Sequence, residues 1–508
     1  MEIRPNYLSA RYLLALSLLI APFVLNIITL HDGHYWGEDF AQFIICAGNI
    51  VSGRPYTQGV MLDLPVVFPP GYPLILAPLV YLFGLDFIAL KSLNIVFLFF
   101  LVWGTYRLTK ARSDRSSGYG AALFLAWMSY LFLLKQHIES DLPFSACVVW
   151  AAYYLERYER KKRGHDFGRA LGLMSLALLV RSAGAALFLG ALIHLAFSRE
   201  RSKGYRDISI MVGIFLATFL FQTIFFGAAP GAWSELYHDI HSIPKNIIAN
   251  MSLLSSALLW VIIPPYTVLT SVYNKFLGIS VHASYFLVFA VAGAFIWQAL
   301  WKRLSALYAI FCAYFFLIFL WLATYKGPVE HFSRFMLPLV PFFFVGAAVL
   351  FKRYRSGVFH SSVRVLFLVL LALNVWNMVW TRDLNDDGLR KPAAQDLFAW
   401  VKSHVRQDEA VLFTYPRALS LMAQVKSGMF RMPQRDIPEW WLEQNNFRYA
   451  IVSRKEHCVI SELIVSRHDL FELAWMNRGY LVYRFVGSGK LAPPKISDSD
   501  RVSSFSAD

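Results

Sequence analysis

Cysteine is scarce in this chain, four in 508 residues, and so is charge, at 16% of residues. Cys46, Cys147 and Cys312 fall in or beside apolar segments and Cys458 stands alone in the polar C-terminal region, so no disulfide framework or CxxC metal site can be assembled. An average soluble domain is roughly 45–50% apolar and 25% charged. Here 57% of residues are hydrophobic, which excludes an ordinary soluble protein and points to a membrane. Acids are the scarcer sign, 33 against 48 Lys and Arg, for a formal charge of +15. That sum alone would suit a nucleic-acid partner, but the placement excludes one. The basic residues gather in RLTKARSDR (107–115), RYERKKRGHDFGR (157–169), SRERSKGYR (198–206), WKR (301–303) and KRYR (352–355), each between apolar runs. That is the pattern of cytoplasmic loops under the positive-inside rule. No internal repeat is visible.

A hydrocarbon core of about 30 Å takes roughly 20 apolar residues per helix, and about eleven spans are expected on that measure. They cover 12–30, 87–106, 118–135, 142–157, 170–182, 183–198, 207–227, 283–300, 304–323, 334–351 and 364–380. The first has no small-residue cleavage site behind it and reads as a retained helix. An odd count with a cytoplasmic N-terminus leaves the C-terminus outside. GYPLILAPLVYLFG (71–84) is short, carries internal prolines and reads as an interfacial or re-entrant helix. Residues 252–273, broken by Pro264 and Pro265, read as part of a long external loop. After residue 381 the composition turns soluble: AAQDLFAWVKSHV and LSLMAQV have helical spacing, and AVLFTY, YAIVS and YLVYRF read as strands. The expected fold is therefore an α-helical polytopic membrane module over 1–380, with external loops 31–86 and 228–282. A small external α/β domain follows over 381–488, then a polar tail over 489–508 expected to be disordered.

On this topology Glu38 and Asp39 stand just outside the first span. Glu139 and Asp141 share that outer face, where the third span ends and the fourth begins. Taken alone each has a bland reading, since an acid near a helix start is favoured by the macrodipole and Asp141, with Pro143 in the next turn, suits an N-cap. HDGH (31–34) and HDIH (238–241) have His pairs near a ligand spacing but no further ligands, so no metal site is expected.

Five segments in order, GEDFAQFIICAGNIVSGRPY, FPPGYPLILAPLVYLFG, ESDLPFSACVVWAAYYLERY, RSAGAALFLGALIHL and SRFMLPLVP, resemble the GT-C superfamily of membrane glycosyltransferases. The likeness is to the branch of protein O-mannosyltransferases, lipid A aminoarabinose transferases and rhizobial lipopolysaccharide sugar transferases, and it covers roughly residues 10 to 490. The resemblance implies a bacterial inner-membrane enzyme whose donor is a sugar on a polyprenyl phosphate and whose acceptor is a lipid, glycan or protein. It implies that Asp39 is the essential carboxylate and Asp141 a supporting acid; the GED spelling leaves open whether Glu38 takes the first role. It calls for no certain cofactor and leaves room for a divalent cation. One departure stands out: some members carry a lysine before the Pro-Pro pair that contacts the lipid phosphate, and here that place is Phe68.

Phosphate is already a good leaving group, so such a site needs a base for the acceptor hydroxyl and cations for the charge that develops on phosphate. Asp39 is the candidate base, and in-line displacement would invert the anomeric centre. The outer cations are few: Arg54, Lys135, Lys245, Lys275, Lys326 and Arg334, with Arg181 near the end of its span. Arg334 is the best placed by resemblance, although an Arg at a helix end also snorkels without any function. His331 stands one turn before it. Lys91, inside the second span, is costly there unless it is paired or faces a cavity. The competing readings are a transporter or flippase of lipid-linked sugars, which would more often show repeats and broken helices, and a ligase that moves a whole glycan.

Overall fold

The computed structural model describes residues 7–37, 39–58, 68–197, 201–227, 261, 305–322, 329–353, 357–381, 388–429, 442–443, 446–455 and 458–486. The chain divides into two compact units. The first takes residues 1–32, 46–57 and 65–385, the second 33–45, 58–64 and 386–508.

The first unit is helical. Its elements are α1 (Tyr7–Ile28), the later turns of α2 (Asp39–Val51), α3 (Gly71–Phe83), α4 (Phe87–Arg112), α5 (Arg115–Ala126), α6 (Ser129–Leu134) and α7 (Asp141–Lys161). They continue with α8 (Gly164–Val180), α9 (Ala185–Ala196), α10 (Arg201–Phe226), α11 (Ala306–Leu322), α12 (Val329–Met336), α13 (Val340–Arg353) and α14 (Gly357–Thr381). Helix α7 packs on α4 and α8, and α9 on α11. The second contact is a backbone approach: a Cβ on Gly190 would lie 2.5 Å from the Ile310 Cα. Asp86 and Asp114 cap α4 and α5, accepting from the Ala89 and Ser117 amides at 3.0 and 2.8 Å, which satisfies donors that the first turn leaves orphaned.

Two of the described helices are long and apolar enough to cross a membrane by length and composition, Phe87–Arg112 and Gly204–Phe226; seven more apolar helices are shorter. Large apolar side chains stand outward on this unit, Leu13 and Ile28 on α1, Ile224 and Phe225 on α10, and Val365 and Leu368 on α14. An outward apolar band of this kind suits hydrocarbon and not water.

Several expected spans meet helices with shifted ends. The expected helix over 118–135 is two helices, because Trp127 and Met128 leave the helical path and the Asn374 side chain caps the restart, accepting from the Ser129 amide at 2.9 Å and its hydroxyl at 2.8 Å. Residues 71–84 form a helix as expected. The span 283–300 lies outside the described residues, as does the loop 228–282 apart from residue 261.

The second unit is built on a mixed five-stranded sheet. Its elements are α15 (Pro392–His404), β1 (Ala410–Leu412), α16 (Pro416–Ala423), β2 (Lys426–Gly428), β3 (Phe447–Ser453), α17 (Val459–Ser466), β4 (Phe471–Met476) and β5 (Tyr480–Phe485). The strand order is β2-β1-β3-β5-β4, with β1 parallel to both neighbours and β5 antiparallel to β3 and β4. Leu412, Phe447, Ala450, Ile460, Leu463 and Phe471 fill its core. Residues 33–45 join this unit through Trp36, whose ring lies 5.4 Å from those of Phe398 and Phe413, 5.8 Å from Tyr415 and 5.9 Å from Tyr480. The Leu389 amide donates to the His34 carbonyl at 3.0 Å. The chain therefore carries the start of α2 on the sheet domain.

Candidate functional site

In the first unit the polar segment KQHIESD, between α6 and α7, gathers most of the candidate residues. Asp141 opens α7 and is 1% exposed. Its carboxylate takes two guanidinium groups: Arg181, the residue that ends α8, on Oδ1, and Arg334 of α12 on Oδ2, with Nε at 3.0 Å and Nη2 at 2.9 Å. Arg334 Nε also lies 3.1 Å from Oε2 of Glu139, itself 2% exposed. Two acids and two guanidiniums thus form a neutral buried cluster. Charges out of water cost several kcal/mol each unless they are closely paired, so each member holds the others in place. Charge-assisted bonds to a planar guanidinium also fix its orientation, which a lysine would not allow.

The surrounding helices set this geometry. Gly71 lets α3 press onto the end of α8, where a Cβ would lie 2.6 Å from the Leu179 carbonyl carbon; Arg181 follows directly. That approach seats Tyr72, fully buried, within electrostatic reach of both acids. Tyr130 is a second buried phenol within reach of Glu139, Asp141, Arg181 and Arg334. Arg181 lies over the Phe335 ring, 4.9 Å from its centre, which ties α8 to α12.

A second cationic group adjoins the same segment. Lys91 and Lys135 are both fully buried and close enough for each charge to act on the other. Lys91 Nζ donates to the His31 carbonyl at 2.9 Å and reaches Gln136 Oε1 at 3.5 Å. Lys135 Nζ donates to the Thr29 hydroxyl and lies over the Phe132 ring, 3.4 Å from its centre. Asn94 holds the loop, its amide donating to the Lys135 and His137 carbonyls at 3.2 and 2.5 Å. His137 Nδ1 is 3.8 Å from Glu139 Oε1, so the two groups are joined through one short loop.

Asp39 belongs to the second unit. It opens α2 with its side chain 32% exposed, and Arg417 Nη1 of α16 lies 3.6 Å from its Oδ1, with the arginine side chain 8% exposed. One turn on, Gln42 is 1% exposed, and among the described residues neither amide atom has a hydrogen-bond partner. Of the other sequence candidates, Arg54 is exposed beyond α2. Glu38, Lys245, Lys275 and Lys326 lie outside the described residues, as does the His331 side chain, although its backbone lies on α12. Phe68 uses its carbonyl to accept from the Tyr56 hydroxyl at 3.2 Å. Arg417 and Gln42 were not anticipated: a lone arginine in a C-terminal helix and a glutamine in an apolar one carry no sequence signal. Among the described residues no three His, Cys, Asp or Glu stand together as a metal-binding group.

Residues 67–225 match the family model for dolichyl-phosphate-mannose-protein mannosyltransferase. No curated protein sequence matches the chain. Among solved structures the chain is similar to ArnT from Cupriavidus metallidurans in the apo state, at 12% identity and TM-score 0.57 over 96% of this chain and 100% of that one. It is similar also to ArnT bound to undecaprenyl phosphate, at 13% identity and TM-score 0.56 over 94% and 99%. A third likeness is to the archaeal oligosaccharyltransferase AglB from Archaeoglobus fulgidus in complex with an inhibitory peptide and a dolichol-phosphate, at 11% identity and TM-score 0.54 over 91% and 71%. At such identities these likenesses are of fold. The family model covers residues 67–225, and the likeness of fold runs over more than nine-tenths of the chain.

Proposed function

We propose that the chain transfers a sugar from a polyprenyl-phosphate donor to a hydroxyl of an envelope lipid, glycan or protein, at the outer face of a bacterial inner membrane and with inversion. The observation that carries this reading is the grip of buried Asp141 on two arginines. Guanidiniums held in fixed orientation need little reorganisation when charge develops on a departing phosphate, and that is where a transferase has most to gain. Lys91, whose ammonium donates to the His31 carbonyl at 2.9 Å, adds a further donor beside the same loop. Undecaprenyl phosphate and dolichol-phosphate are the lipids in the ArnT and AglB structures, which supports a lipid-phosphate donor here.

In the proposed step the acceptor oxygen bonds to the anomeric carbon while the bond from that carbon to phosphate breaks. The acceptor proton passes to Asp39, and the electron pair leaves with the polyprenyl phosphate. Arg417, 3.6 Å away, holds the carboxylate in place. The basic loops lie in the cytoplasm, the KQHIESD segment and the sheet domain outside.

The test is transfer by the purified full chain from synthetic polyprenyl-phosphate sugars, with release of polyprenyl phosphate as the readout. Release that depends on acceptor supports the reading. Translocation of the intact lipid-linked sugar in liposomes, with no release from any donor, would replace it with a flippase.

A further inference from the structure

The opposite end of α7 carries a second polar feature. A 21-residue helix spans about 30 Å, so Lys161 stands that far along the helix from Asp141. There the ends of α4 and α7 enclose a cavity of about 580 Å³ rimmed by Arg107, Lys110, Arg157, Arg160 and Lys161. One acid lines it, Glu156, and it is engaged by Arg160 at 2.7 Å and by Arg112 at 2.5 Å. Arg157 faces Asp166 at 3.4 Å. Arg107 donates to the Tyr153 hydroxyl at 2.7 Å and lies over that ring. Among the described residues Arg107, Lys110 and Lys161 pair with no carboxylate, so the rim keeps a net positive charge.

The walls of this cavity do not end at the charges. Trp103 and Tyr106 line it and also line a second groove of about 680 Å³ between α1, α4 and α5, whose other walls include Leu16, Leu19, Phe23 and Phe99. Leu16, Phe99 and Trp103 are partly open to the outside. An apolar slot that runs into a cationic rim over an indole and a phenol has the shape of one acyl chain beneath one phosphate.

We propose that this place binds an anionic glycerophospholipid, its phosphodiester held by Arg107, Lys110 and Lys161 and an acyl chain laid along Leu16, Leu19 and Phe99. Arginine and lysine beside aromatic rings at a membrane interface keep their stems in apolar surroundings while the heads meet phosphate. The site is independent of the donor reading, since it lies at the far end of α7 and its occupancy is read without any transfer.

The experiment is native mass spectrometry of the purified full chain after exchange into mixed micelles holding phosphatidylglycerol or phosphatidylcholine, beside thermal melting in each. Lys110 and Lys161 are exposed, so the pair Lys110→Gln and Lys161→Gln leaves the fold intact. The wild type should retain phosphatidylglycerol over phosphatidylcholine, and the double variant should lose at least about tenfold of that retention, since each basic residue near an anionic surface contributes several-fold. Lys402→Gln, on α15, should change nothing. Three results would overturn the proposal: equal retention of both lipids, unchanged retention by the double variant, or an equal rise in melting temperature from inorganic phosphate alone, which would mark a site for soluble phosphate instead.

Discussion

Arg417 points its guanidinium at the carboxylate of Asp39 from 3.6 Å, across nearly four hundred positions of sequence, and both residues sit on the sheet-bearing unit. The arginine is almost wholly buried, so it is held by its helix and not by solvent. On the proposed mechanism Arg417 is a positioning residue. Arg417→Gln should lower kcat for sugar transfer by about tenfold or more, the scale of a misplaced general base, with little change in KM for the donor. Arg417→Lys should restore part of the loss, because the charge returns without the planar fork. A rise in donor KM with kcat unchanged would assign Arg417 to binding instead.

Asp39 itself is the sharper test. General-base catalysis typically contributes about 10²–10⁴-fold, so Asp39→Asn should lose at least that much while gel filtration shows an intact protein. Glu38→Gln should cost far less. Retention of more than about a tenth of wild-type turnover by Asp39→Asn would remove it as the base; loss confined to Glu38→Gln would move the role one residue back.

The buried cluster predicts a different signature, in stability as well as activity. Removing one partner of a buried ion pair strands the other and costs about 3–5 kcal/mol. Asp141→Ala leaves two guanidiniums facing one remaining acid, Glu139, and should therefore lower the melting temperature much more than Asp39→Asn, whose carboxylate is a third exposed. Arg334→Ala should weaken donor binding, measured by titration, more than Lys326→Ala. Equal donor affinities for these two variants would take Arg334 out of the phosphate site.

Topology is open to direct labelling. In a cysteine-free background, a cysteine at exposed Arg163 should be protected from a membrane-impermeant maleimide in intact cells, and one at exposed Lys426 should react. The reverse pattern would turn the proposed outer site inward. The expectation rests on basic loops that the cell reads as charge, and such a signal survives any local change in helix ends.

What the sequence made legible follows the range of each interaction. Helix positions came from runs of apolar residues, a local property, and α4, α9 and α10 lie close to where those runs place them. The break at Trp127–Met128 was not legible, since it is made by Asn374, some 245 residues away. β2 and β4 were missed for a related reason: three residues, Lys426–Gly428, form a strand only because β1 offers its edge. Motif resemblance marks Asp141 and Arg334 separately as candidates, but no sequence pattern announces that they pair with each other. Arg417 and the Trp36 anchor were invisible, because the loop after α1 reads as a membrane feature and its partners read as a soluble domain.

Gln42 gives the last prediction. It lies one turn after Asp39 on α2, 1% exposed, with neither amide atom hydrogen-bonded among the described residues. A buried amide left without partners costs about 1–3 kcal/mol, and leucine at the same place would remove that cost while filling similar space. Gln42→Leu should therefore raise the melting temperature, by about 2 °C or more. The amide is on this reading kept for a partner that arrives with the reaction, an acceptor hydroxyl beside the base. The same substitution should then raise the acceptor KM and leave the donor KM unchanged. Purified Gln42→Leu settles both with a melting curve and a two-substrate rate analysis. A more stable enzyme with unaltered acceptor kinetics would make the residue a packing defect, and a less stable one would show that the amide already has a structural use.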